Sequence, residues 1–170
     1  MKLLGLPGRQ PSTLAQMEAL LARLEIGQTE TEIRRYDFWA ADWSHPEVSP
    51  EAEAVGQLTA DLVIAKSIGT LIAMLAVARQ GFAPTACVFL ATPLNRLVAE
   101  DRVALLEAHC DAIPTLFIQQ SDDFNGAYAP LARIVARHPR CAAMEIPGGD
   151  HLYEDLDLIA PLIEAWVNEA

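Results

Sequence analysis

Ser67 stands in the pentapeptide Ala65-Lys66-Ser67-Ile68-Gly69, with a small residue two places before it and a glycine two places after. Small side chains at those positions let a strand bend sharply into a helix with the serine at the joint, the turn called a nucleophile elbow. Such a turn lifts the hydroxyl clear of a sheet, and the helix N-terminus beneath it favours negative charge nearby. A serine hydroxyl is a poor nucleophile at neutral pH, so it needs an adjacent base, and the base needs an orienting acid. Both occur downstream: Asp123 in Gln119-Gln120-Ser121-Asp122-Asp123-Phe124-Asn125-Gly126, and His151 in Gly148-Gly149-Asp150-His151-Leu152. Asp122 competes with Asp123 for the acid, and Asp150 reads as a cap for the last helix. The plainer alternative makes Ser67 a helix N-cap and His151 a surface loop residue. His45, His109 and His138 read as structural.

The elements around these residues decide between the readings. Asp61 to Lys66 is a short apolar, β-branched run, and Leu71 to Ala78 is rich in Ala, Leu and Met, so the serine falls between a buried strand and a helix ending near Gly81. Lys2 to Leu6 predicts a first strand, stopped by the loop Pro7-Gly8-Arg9-Gln10-Pro11. Ser12 or Thr13 then caps a helix over Leu14, Met17, Leu20, Leu21 and Leu24. Glu30 to Trp39 predicts a second strand, residues 40–50 a loop, and residues 50–59 a short helix. Further strands are expected at 85–91, 113–119 and 141–146, the second of them opening on Pro114, which a strand start tolerates. Helices are expected at 98–110, 128–138 and 152–167. This alternation implies parallel strands joined by right-handed crossovers in a three-layer α/β/α sandwich, one domain over residues 1–170. Ligands of such sheets bind beyond the carboxyl ends of the strands, and Ser67, Asp123 and His151 all follow strands there. At the same end, Gly8 lets backbone approach a substrate carbonyl, and Trp39 and Trp43 offer either an apolar substrate wall or cover for a sheet edge.

Composition narrows the partners. A net charge of −11 and a pI near 4.6 oppose binding to nucleic acid or to an anionic membrane. No apolar run is long enough to span a bilayer, and no leader pattern is seen at residues 1–8. Cys87, Cys110 and Cys141 are odd in number and irregular in spacing, so they read as small core residues of a reduced, cytoplasmic protein. HExxH, a Cys/His ligand cluster and a phosphate-cradling glycine loop are all missing from the sequence, so neither metal nor cofactor is expected. Oligomeric state is open.

Serine, acid and histidine in that chain order, each after a different parallel strand, is the order of the α/β-hydrolase architecture. On Leu6-Pro7-Gly8-Arg9, the pentapeptide around Ser67, Pro114 to Gly126 and Gly148 to His151, the chain resembles a small α/β-hydrolase. It is similar to the compact, nearly lidless serine hydrolases related to retinoblastoma-binding protein 9. The resemblance implies a mostly parallel six-stranded sheet in the order 2-1-3-4-5-6, a Ser67 nucleophile, a His151 general base and an Asp123 orienter. It also implies an oxyanion hole from the backbone N–H groups of Arg9 and Ile68. Two departures stand out: Ala65 replaces the first glycine of G-x-S-x-G, and Lys66 occupies the slot where many relatives carry histidine. With no room for a large lid between Ala91 and Val98, the site should be shallow and suited to short acyl esters, thioesters or small amides. An acyl transferase would look the same in sequence. The competing class is a non-catalytic module that binds a small ligand or protein partner through the same crevice.

Overall fold

The computed structural model describes residues 1–169. Six strands form one parallel sheet: β1 (Lys2–Leu6), β2 (Glu30–Ile33), β3 (Leu62–Lys66), β4 (Ala86–Leu90), β5 (Thr115–Gln120) and β6 (Cys141–Ile146), in the spatial order β2-β1-β3-β4-β5-β6. This is the expected strand order, and all the pairings are parallel.

The two-residue period of a strand sorts its side chains to opposite faces. Leu4, Leu6, Val63, Ala65, Cys87, Phe89 and Phe117 point into one core, covered by α3 (Val48–Gly56), α4 (Ile68–Gln80), α6 (Val103–Ala112) and α7 (Tyr128–Val135). Leu3, Leu62, Ile64, Val88, Leu90, Leu116 and Ile118 point into the other, covered by α1 (Thr13–Arg23) and α8 (Leu156–Glu169). Cores on both faces explain why β3 and β5 are buried along their whole length. α4 is buried continuously from Ile68 to Ala76 and ends on Gly81 in the left-handed conformation. No described helix is long and apolar enough to cross a membrane.

Several expected boundaries move. The second strand stops at Ile33, because buried Glu51 on α3 draws the following chain off the sheet edge: it accepts from the Arg34 guanidinium at 2.9 Å and from the Asp37 N–H at 2.6 Å. Tyr36 and Phe38 then turn into the core, and Phe38–Ala41 forms a helical turn, α2. The helix expected from residue 50 begins at Val48. The helix expected over 98–110 is two, α5 (Leu94–Ala99) and α6, broken where Asp101 takes a positive φ. α8 starts at Leu156 rather than residue 152, since His151 and Tyr153 both have positive φ; Asp155, not Asp150, caps it by accepting the Leu158 N–H. Neither expected cap of α1 operates, for Ser12 makes no side-chain cap and the Thr13 hydroxyl donates to Gln10 O.

The first turn of α4 packs directly on the end of β1. A Cβ at Gly69 would lie 2.3 Å from Leu6 O and 2.7 Å from Pro7 O, both rigid backbone atoms. Gly69→Ala should therefore destabilise the protein by about 3 kcal/mol, at the upper end of overpacking penalties, measured as a fall in the urea unfolding midpoint; a loss below about 0.5 kcal/mol would show that this contact is not tight.

Candidate active site

Ser67 joins β3 to α4 with φ 52° and ψ −115°, a backbone conformation rare outside glycine. Neighbouring groups hold it there. Its N–H donates to Leu90 O at 2.9 Å, and its carbonyl accepts from the N–H and hydroxyl of Thr70 at 3.0 and 2.7 Å. The side chain makes no helix cap; it projects from the elbow instead.

The hydroxyl meets His151. Ser67 Oγ lies 2.9 Å from His151 Nε2, and His151 Nδ1 lies 2.9 and 2.8 Å from the two carboxylate oxygens of Asp123. An ionised carboxylate only accepts, so Nδ1 carries the proton toward Asp123 and Nε2 is free to accept from Ser67. Asp123, with its carboxylate fully buried, also accepts the Asn125 N–H at 2.8 Å and the Tyr153 hydroxyl at 2.9 Å. Asp122 is exposed and makes no side-chain hydrogen bond to the histidine, so the acid facing His151 is Asp123.

The loop bearing His151 is strained and held by residues that the sequence pattern does not single out. Gln120, at the end of β5, accepts the His151 N–H through Oε1 at 2.9 Å, donates through Nε2 to Asp150 at 2.8 Å, and donates its backbone N–H to Tyr153 Oη at 2.7 Å. Burial, and then the Asp123 carboxylate, hold the Tyr153 hydroxyl well above its usual pKa, which keeps it a donor. Asp150 closes a turn with the Leu152 N–H at 2.9 Å; that bond and the one from Gln120 lower its pKa. Gln119 ties the acid loop to the turn after β4, accepting the Thr92 N–H and donating to Gly126 O. The only hint of these roles in the sequence is two adjacent glutamines ending an otherwise apolar strand.

Lys66 is a third such residue. Only 6% exposed, its ammonium donates to Gln16 and to Leu152 O. Gln16 in turn donates to Leu152 O and Tyr153 O at 2.7 and 2.6 Å. The sequence gives Lys66 no role; the structure makes it part of the clamp on the histidine loop.

On the opposite side of Ser67, the loop after β1 is fixed by aromatic residues. The Tyr36 hydroxyl donates to Pro7 O at 2.9 Å, and Trp39 Nε1 donates to Arg9 O at 2.8 Å. Neither the Arg9 nor the Ile68 N–H donates to any acceptor among the described residues. Trp43, expected as a substrate wall, is 40% exposed and lies outside the pocket lining, with the Arg9 guanidinium 5.9 Å from its ring centroid. The pocket at Ser67 measures about 330 Å³. Gly8, Arg9, Ile68 and His151 line it, together with Lys66, Pro93, Phe124 and Leu152.

Burial pulls the Lys66 pKa from 10.5 to about 8, against the opposing fields of Glu154, Asp150 and Asp123. The folded chain therefore holds this proton less tightly than the unfolded chain, and the stability owed to this group rises with pH between 8 and 10.5. Comparing urea unfolding of the parent and Lys66→Met at pH 7.5 and pH 10 should show the difference moving in the parent's favour by about 2 kcal/mol at the higher pH. An unchanged difference would mean that Lys66 is solvated.

No family model, curated protein or solved structure matches the chain, which leaves the geometry around Ser67 as the guide to function.

Proposed function

We propose that the protein is a serine hydrolase that cleaves small acyl esters, thioesters or amides through an acyl-enzyme on Ser67. The observation that carries this reading is the unbroken chain of hydrogen bonds from Ser67 Oγ through the His151 imidazole to the buried Asp123 carboxylate. The resemblance to compact α/β-hydrolases supports the same reading, but a fold hosts many activities and the site has to carry the function.

In the proposed reaction, Ser67 Oγ attacks the scissile carbonyl carbon while its proton passes to His151 Nε2. The carbonyl oxygen becomes an oxyanion, stabilised by the N–H groups of Arg9 and Ile68; one such fixed donor is typically worth about 3 kcal/mol in the transition state. Asp123 keeps the imidazole in the correct tautomer and stabilises its positive charge. Collapse expels the leaving group, which takes the proton from Nε2. Water then attacks the acyl-serine, giving its proton to Nε2; collapse breaks the bond to Ser67 Oγ, which takes that proton back as the acid is released. The open pocket of about 330 Å³ suits short acyl groups. The three free thiols fit a reducing compartment, and we place the enzyme in the cytoplasm on that basis.

Intact protein should take up one equivalent of a fluorophosphonate, with Ser67 Oγ displacing fluoride; Ser67→Ala and His151→Ala should not be labelled, as read by intact-protein mass spectrometry. Ser67→Ala should lower kcat on p-nitrophenyl butyrate by roughly four orders of magnitude or more. Absence of labelling in the folded parent would favour a binding module. Across p-nitrophenyl esters graded by acyl length, kcat/KM should peak at short chains, and a maximum at long chains would contradict the open-site reading.

A further inference from the structure

The chain has 23 Asp and Glu residues to 12 Lys and Arg, so carboxylate partners for its cations are plentiful. Lys66 nevertheless has none in contact. Its ammonium gives two N–H groups to Gln16 and Leu152 O, and the third has no acceptor among the described residues. A buried charge without a counter-ion is costly. Arg34, half-buried on the far side of the sheet edge, is treated differently: it has Glu51, itself 2% exposed, at 2.9 Å.

Lys66 lines the pocket at Ser67, and so does Arg9, whose guanidinium rests over Trp43 with no carboxylate in ion-pair contact. Arg96, a third cation of the lining, is paired with Glu100 at 2.6 Å, a carboxylate that it shares with Arg102 at 3.1 Å. Asp150 is the one carboxylate of the lining, so cations outnumber carboxylates among the lining side chains, with the fields of Glu154 and Asp123 reaching Lys66 from outside it. A pocket of this volume takes one small molecule, so both free cations face the same ligand. Phe124, 64% exposed, and Leu152, 50% exposed, supply an apolar side to the same space.

We propose that the substrate carries one carboxylate on the same molecule as the scissile acyl bond, and that Lys66 and Arg9 select it. The inference rests on the serine hydrolase reading. The substrate class is then a monoester, monothioester or monoamide of a short dicarboxylic acid, or a short ester whose leaving group bears the carboxylate. A carboxylate supplies the partner that Lys66 and Arg9 lack, and the hydrocarbon between the two functional groups lies against Phe124 and Leu152.

Two matched pairs test this and separate the two placements: mono-p-nitrophenyl glutarate against p-nitrophenyl pentanoate, and 4-acetoxybenzoate against its methyl ester. In at least one pair the parent should favour the anionic member in kcat/KM by about 10- to 100-fold, as hydrogen bonds to charged groups allow. That ratio should fall at least about fivefold in Lys66→Met and in Arg9→Gln, whatever happens to absolute rates, and Lys66→Arg should retain most of it. Should Lys66→Met fail to fold, Arg9→Gln, which alters only an exposed side chain, and Lys66→Arg carry the comparison. A ratio near one in both pairs, or one indifferent to both charge removals, overturns the proposal. Failure of the hydrolase reading looks different: neither member of either pair is turned over in a Ser67-dependent way. Binding then decides the matter, since Ser67→Ala protein titrated with monomethyl glutarate or methyl pentanoate should show amide shifts at residues 66–69 with the anion only. Equal response to both, or to neither, also overturns it.

Discussion

The close approach of α4 to the end of β1 is the constraint on which the site depends. Gly69 presses its backbone against the carbonyls of Leu6 and Pro7, at separations no side chain would allow. That contact sets the loop after β1 beside the first turn of α4, so Arg9 and Ile68, whose N–H groups donate to no acceptor among the described residues, line the same pocket as Ser67. It also helps fix the unfavourable backbone angles of Ser67, a strain of about 1–3 kcal/mol that surrounding hydrogen bonds must offset. Tyr36 and Trp39 complete the arrangement from below by holding Pro7 O and Arg9 O.

A second strained segment faces the first. His151 and Tyr153 both have positive φ, and neither residue is a glycine that would adopt it freely. The segment stays in place because its polar groups are satisfied from two directions: Gln120 reaches it from β5, and Lys66 and Gln16 reach it from β3 and α1. Imidazole position is thus referred to the central strands rather than to the loop's own preferences. Tyr153 links the two halves by accepting from Gln120 and donating to Asp123, so Asp123 and His151 share one support.

Much of this was legible in the sequence because it rests on local chemistry. The apolar run before Ser67 and the small residues around it mark the elbow, and alternating strands and helices give the sheet. The positions of Asp123 and His151 after successive strands place them at one rim. What the sequence hid depends on partners distant along the chain. Glu51 ends the second strand early from a helix 17 residues beyond Arg34, and no pattern within residues 30–39 records that. Trp43 looked like a wall because a loop tryptophan is apolar and unassigned, yet it is Trp39 that anchors the loop at the pocket. The buried glutamines at 119 and 120 and the lysine at 66 have types that suit a surface as well as an interior, and only the fold reveals which they occupy.

The outer strand β2 bears on how the molecule behaves among its own copies. Its four residues, Glu-Thr-Glu-Ile, form an open edge with two acidic side chains, of which Glu32 has Lys2 at 3.8 Å and Glu30 has no cationic partner among the described residues. Another chain docking there to extend the sheet would bring its own acids opposite these, and like charges facing across a strand pair repel. This flank, which contributes nothing to the pocket, is therefore guarded against runaway stacking by its brevity and its sign.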